Sequence, residues 1–484
     1  MISYISQIAP DCPLTGAPID AGRRTQAFDQ GANWGCGIGL NLLRLLQRFN
    51  SGPKAIDWMA TSLQTSTPNV VPENSGHRPF AWWVAVLLCA SLTLNFVDRL
   101  VLGSVAPILR SQLHLTATQY SYIVFGFMAG MTIGQIPVGA LIDRIGSRLA
   151  LPAMFSGWSI ANMLQSLANG VLRFTGLRFA MGIFECGNYP AGLKTIAALF
   201  SPEERALALG VFDCGSLLGS MIAPPLVVAI AARFGWRATF FLPSLLGLAW
   251  VLPWLAAARK GWIPQEAPAS SSPSPSVLQL LRSSQTWGVI AMRAFGGPLS
   301  QFYWYWLPLY LVRGRGASMT VMAALASSAY LVGGAGQVAS GYFSGWLIRQ
   351  GASADRSRKI CFTVGSVLSG VCTVAVPLVP SLHLATFLAG VGMFGVNITS
   401  NIVIAVISDV FPGPTLARVT GMTGAGEGVL NMLLTVATGA VVDRLSFTPV
   451  FVGMGTLPAA GLAALFLLVG NCRARSCEEL AGGA

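Results

Sequence analysis

AWWVAVLLCASLTLNFVDRLVLGSVAPIL, residues 81–109, is one apolar run broken only by an adjacent pair of charges, Asp98 and Arg99. It exceeds the roughly 20 apolar residues that carry a helix across a bilayer and lacks the period-two alternation of a barrel strand. Lipid cannot satisfy backbone amides, so a segment of this kind forms a helix. Similar runs recur almost to the C-terminus, at about 79–108, 119–142, 149–168, 172–200, 205–232 and 238–258, and then at 286–312, 320–348, 358–379, 384–408, 416–440 and 448–470. The expectation is an all-α membrane protein of twelve transmembrane helices in two sets of six.

Composition agrees. Of 484 residues, 53% are hydrophobic and 10% charged, against about 25% charged in soluble domains. The net charge of +12 does not point to nucleic acid, because Lys and Arg sit in short breaks between runs and form no continuous basic face. Thirteen fall on the side of the 259–285 segment and seven on the other, so both termini and that segment are expected in the cytoplasm. The nine cysteines lack metal-ligand spacing and read as small core residues. His77, His114 and His383 all lie in polar breaks, leaving proton chemistry within the membrane to carboxylates. No metal or cofactor is expected.

The expected organisation is a polar segment 1–78, a first half 79–258, a linker 259–285, a second half 286–470 and a tail 471–484. The linker holds RKGWIPQEAPASSSPSPS, residues 259–276, too rich in Pro and Ser to bury itself. In the N-terminal segment only Asn41–Phe49, NLLRLLQRF, suits a short interfacial helix, and no secretory signal core precedes the first span. Met59 opens a polar lead typical of a first span, so a chain starting there is expected to suffice.

Ionisable groups inside a span cost at least about 2.5 kcal/mol each and usually face a partner or a pathway. Seven occur: Asp98, Arg99, Arg178, Glu185, Asp213, Arg293 and Glu427. Arg178 and Glu185, two helical turns apart, share a face; Asp98 and Arg99, as neighbours, point about 100° apart. Arginine suits a carboxylate cargo because its guanidinium stays charged and offers two parallel hydrogen bonds. A buried carboxylate suits proton coupling because its protonation answers to solvation and neighbouring charge. The aromatic cluster QFYWYW, residues 301–306, fits either an interfacial belt or a binding wall. Gly126, Gly130 and Gly134, at four-residue spacing, suit close helix packing.

GALIDRIGSR, residues 139–148, resembles the signature loop of the major facilitator superfamily. The resemblance implies close helix contact at Gly139, a helix end and a partner from the other half for Asp143, and a cytoplasmic gate held by Arg144 and Arg148, with Gly146 in the same motif. A second copy, GYFSGWLIRQGASADRSRK from Gly341, carries Gly345 where an Asp is often found. NFVDR (95–99), RFAMGIFE (178–185), YPAGLK (189–194), GSLLGSMIAPPLV (215–227) and RAFGGPLSQFYWYWLPLYL (293–311) are similar to the anion:cation symporters, most of all bacterial hexuronate and sugar-acid transporters.

That resemblance implies two pseudo-symmetric six-helix halves in a bacterial inner membrane, working as a monomer to import a small organic anion together with protons. It assigns Arg99 and Arg178 to the substrate carboxylate, Asp98 and Glu185 to proton coupling, and Gln301, Tyr303, Trp304, Asn397 and Asn401 to the hydroxyls. Phe96 and Met131 stand where sugar-acid transporters often have tyrosines, which keeps an aromatic or dicarboxylic acid as the second reading. Glu427 is a second proton site, a partner for Arg99 or Arg293, or a substrate contact. A membrane enzyme or receptor is the rival class, but no nucleophile–base set, metal cluster or sizeable soluble domain supports it.

Overall fold

A computed structural model describes residues 78–264, 277–411, 413–470 and 472. The Asn41–Phe49 helix, the start at Met59, most of the Pro- and Ser-rich linker and nearly all of the tail lie outside the described residues. Within them every regular element is a helix. The first half holds α1 (Arg78–Gln112), α2 (Ala117–Ile145), α3 (Ser147–Leu164), α4 (Val171–Glu185), α5 (Asn188–Leu199), α6 (Pro202–Phe234) and α7 (Ala238–Arg259). After the short α8 (Val277–Leu280) come α9 (Ser284–Gly296), α10 (Pro298–Leu309), α11 (Met319–Arg349), α12 (Ala354–Ala375), α13 (Leu382–Val410), α14 (Gly413–Arg444) and α15 (Phe447–Ala464).

Among the described residues eight helices are long and apolar enough to cross a membrane, or nine if α2, bent near Pro137, is one span. The other three expected spans appear as the 18-residue α3 and as two broken pairs, α4–α5 and α9–α10. The second break has a plain cause: Gly297 keeps helical angles (φ −65°, ψ −40°), but Pro298 has no N–H to continue the ladder. Polar caps start several helices where the sequence leaves a break. Thr116 and Gln119 form a capping box on α2, and Ser318, Ser353 and Ser381 cap α11, α12 and α13. Gly146, at φ +77°, makes the turn from α2 into α3, a conformation other residues adopt only with strain.

In the first half α1 packs on α6, α2 on α4 and α3 on α7; in the second, α11 and α12 pack on α13, and α9 on α14 and α15. The glycines of α2 let it lie directly on α4, where a Cβ at Gly126, Gly130 or Gly134 would collide with Thr175, Phe179 or Cys186. Gly130→Ala would drive a methyl into the Phe179 carbonyl, with an overpacking cost of about 1–3 kcal/mol. The variant should melt several degrees lower in detergent, by fluorescence-detected thermal unfolding.

The two halves meet along three seams, α2 on α14, α6 on α11 and α1 on α10. Tyr120 donates to the Tyr305 carbonyl at 3.0 Å and Ser327 to the Met221 carbonyl at 2.7 Å, while Gly428 sits against Thr132. Toward the linker end the first two seams loosen among the described residues. Gly139, Gly210, Gly341 and Gly421 have open space where a Cβ would be. Among the described residues the close contact expected at Gly139 is therefore absent.

Candidate substrate site

Arg178 lies on α4 with no solvent exposure, and among the described residues its one hydrogen bond is from Nη1 to the Met181 sulfur at 3.7 Å; Nε and Nη2 have no partner there. A buried guanidinium is ordinarily paired and fully bonded, so two idle donors mark a place prepared for an acceptor. The Phe127 ring lies 5.8 Å from its centre, and Tyr305 and Glu185 lie within electrostatic reach.

Two turns toward the end of α4, Glu185 binds Arg99 of α1. Arg99 Nε donates to Oε1 at 2.7 Å, and Arg99 Nη2 reaches the same oxygen at 2.5 Å. The Glu185 side chain is fully buried and that of Arg99 is 11% exposed. Glu185 Oε2 has no hydrogen-bond partner, and the Asn95 amide comes near the carboxylate without reaching hydrogen-bond geometry. Three rings enclose the Arg99 guanidinium, Phe96 at 5.0 Å, Phe127 at 5.5 Å and Trp304 at 5.8 Å, the first and last edge-to-face with each other. Such rings attract the cation and exclude water from it.

Asp98 looks the other way, as two neighbours on a helix must. Its carboxylate, fully buried, accepts from Trp158 Nε1 at 3.3 Å and Asn162 Nδ2 at 3.0 Å, both on α3. Asn162 also bonds Ser244 on α7, and Gln165 bonds Asn162. The donors touching Asp98 are neutral, unlike the cation that holds Glu185.

The aromatic cluster of α10 divides by face. Tyr303 turns into the second half, its hydroxyl 2.7 Å from Thr373 Oγ1, and so lies away from the arginines. Tyr305, two residues on, faces them with a free hydroxyl, and Gln301, one turn earlier on the same side, has a free Oε1. Tyr305 escaped the sequence reading, although its four-residue spacing from Gln301 was a usable signal. Asn397 and Asn401 bind α13 to α11, donating to the carbonyls of Gly333 and Gln337 at 2.8 and 3.0 Å. Their amide nitrogens are thus engaged in helix packing.

Of the partners considered for Glu427, the structure selects Arg293, whose Nε lies 2.7 Å from Oε2. The pair borders a cavity of about 90 Å³ with Gly296, Gly297, Thr399 and Ser400. Gly297 makes room, since any Cβ there would overlap the Glu427 carboxylate.

At the linker end Asp143 has no contact with the second half among the described residues. Its ion pair is with Lys194 of α5, at 3.1 Å. The Arg148 guanidinium donates to the Ala258 carbonyl of α7 and so is held within the first half, and Arg144 is exposed. Gly345 has only Arg349 nearby; instead, Arg358 ties α12 to Asp409 of α13 at 2.9 Å and to Ser344 of α11 at 2.6 Å.

Known proteins resemble this chain in sequence and fold. A family model described as Major Facilitator Superfamily matches residues 88–401. The chain is 28% identical over 410 residues to the hexuronate transporter of Escherichia coli (strain K12), covering 81% of this chain and 94% of that one. It is 30% identical to the hexuronate transporter of Bacillus subtilis (strain 168), covering 78% and 91%. A solved bacterial homolog of the human lysosomal transporter Spinster, inward-facing and unoccupied, matches with a TM-score of 0.60 over 81% of this chain and 96% of that one; at 17% identity the likeness is one of fold. The chain therefore belongs to the major facilitator superfamily, as a multi-pass membrane transporter rather than an enzyme, and within it resembles the bacterial hexuronate and related sugar-acid transporters.

Proposed function

We propose that the protein imports a monocarboxylate sugar acid, most simply a hexuronate, together with protons across a bacterial inner membrane, with both termini cytoplasmic. It works as a monomer whose two six-helix halves, 79–258 and 286–470, enclose the site between them. The observation that carries this reading is the buried Arg178 fork with two idle donors beside the free Tyr305 hydroxyl and the free Gln301 oxygen. The fork suits a carboxylate, and the neutral groups suit hydroxyls.

Coupling follows from the Arg99–Glu185 pair. While Glu185 is ionised it holds Arg99. A proton on Glu185 removes that hold and frees Arg99 to join Arg178 on the incoming carboxylate. Proton and anion thus favour each other's binding, as linkage requires. Asp98, held by neutral donors, is the second proton carrier.

The rings of Phe96, Phe127 and Trp304 around Arg99 support an aromatic acid as the second reading. Uptake of labelled hexuronate, aldarate and benzoate-type acids into proteoliposomes, with and without an imposed pH gradient, separates them. Hexuronate accumulation that needs the gradient is expected; transport of aromatic acids alone overturns the sugar-acid assignment, and accumulation indifferent to the gradient overturns coupling. Tyr305→Phe removes one neutral hydrogen bond, of about 0.5–1.5 kcal/mol. It should raise the hexuronate Kd about 2- to 10-fold in equilibrium binding.

A further inference from the structure

The text GALIDR, residues 139–144, returns three hundred residues later as GAVVDR, residues 439–444. The first copy ends α2 and the second ends α14, and these two helices lie side by side along one seam between the halves. They run antiparallel. Ala117 meets Asp443, Ser121 meets Gly439, Thr132 meets Gly428 and Gln135 meets Gly424. Continuing that register carries Asp143 to the first turn of α14, just as it carries Asp443 to the first turn of α2.

The copies are in opposite states. Asp443 is engaged: its oxygens accept from the backbone N–H groups of Ala117 and Thr118 and from the Thr118 hydroxyl, each at 2.7 Å, and Arg110 stands 3.7 Å away. A carboxylate there satisfies free amides and opposes the positive end of the helix dipole. Gly439 is closed onto Ser121 and the Ala117 carbonyl. At the other copy Gly139 faces open space, and the Asp143 side chain is 61% exposed and held by Lys194 of its own half.

We infer that Asp443 is the gating residue of the end opposite the linker, the counterpart of Asp143, and that the two close alternately. With Asp443 seated on α2, the far end is shut and the linker end open. Rocking the halves unseats Asp443 and brings Asp143 onto the start of α14. A role for Asp143 at a helix end was expected from its motif; the latch at Asp443 is the new assignment, and it requires no particular substrate.

The test is a distance measurement by pulsed electron paramagnetic resonance on the full chain in liposomes. Native cysteines are replaced in a background that still transports. One nitroxide pair at His114 and Leu445 reads the far end, and another at Leu149 and Gln350 reads the linker end. Asp443→Asn keeps the shape and loses the charge. It should raise the ratio of long to short distances at the far end at least fivefold and shorten the linker-end distance in parallel, while Asp143→Asn should not lengthen the far end. An unchanged far-end ratio in folded Asp443→Asn overturns the assignment. If that variant does not fold, Thr118→Val, which removes only the hydroxyl bond, should raise the ratio at least twofold, and no change there overturns it equally. The measurement uses neither substrate nor pH gradient, so its failure is distinct from failure of sugar-acid symport.

Discussion

Arg178→Lys is expected to abolish measurable uptake at ordinary substrate concentrations, although it keeps the positive charge. The guanidinium offers Nε and Nη2 as parallel donors with no other partner, inside a fully buried site. An ammonium is a compact point charge on a flexible stem and cannot make that planar, two-point contact. It is also more strongly hydrated, so its burial here costs more. Weakening one partner of a buried charge pair typically costs about 2–5 kcal/mol, or roughly 30- to several-thousand-fold in Kd. Isothermal titration with the purified variant should give no detectable hexuronate binding, at a melting temperature close to that of the parent. Near-parental affinity would mean that the cargo sits elsewhere and that Arg178 serves only the packing around Phe127.

Glu185→Gln should separate coupling from carriage. The amide keeps the shape of the carboxyl and mimics its protonated form, so Arg99 is released permanently from the 2.7 Å bond that holds it. Accumulation driven by a pH gradient should fall to the level of simple equilibration, at least a tenfold loss. Exchange of labelled for unlabelled substrate should persist, because exchange needs no net release of a proton. Counterflow in proteoliposomes at matched pH, set beside gradient-driven uptake, reads both. Retained accumulation would move the coupling role to Asp98, whose neutral donors Trp158 and Asn162 would then be the natural targets. Loss of exchange as well would make Glu185 a group that positions Arg99.

The helical membrane fold was legible because lipid leaves the backbone few alternatives, and the charged positions stood out because charges within a span are costly. The divergence of Asp98 from Arg99 also followed from helix geometry. The partner of Arg99 did not, since it lies 86 residues away on a helix whose rotation no local pattern fixes. The same gap explains the choice of Tyr303 over Tyr305. Two residues apart, they face opposite sides of α10, and a helix apolar on nearly every side gives no phase by which to choose. Gly139 differs for another reason: under the alternation inferred above, its contact depends on which end of the protein is open, and one sequence serves both states.

The presence of two arginines and two carboxylates in the first-half cluster has an electrical consequence. A monoanion entering with one proton moves no net charge, so the membrane voltage neither helps nor hinders it. A dianion entering with one proton would carry a negative charge against an interior-negative potential, at about 2.3 kcal/mol per 100 mV. Asp98 and Glu185 can hold one proton each, so this cluster can neutralise a second carboxylate. Hexuronate uptake should therefore ignore the voltage when only one acid of the cluster is loaded and be driven inward by it when both are, whereas uptake of a dicarboxylate should ignore it only when both acids are loaded.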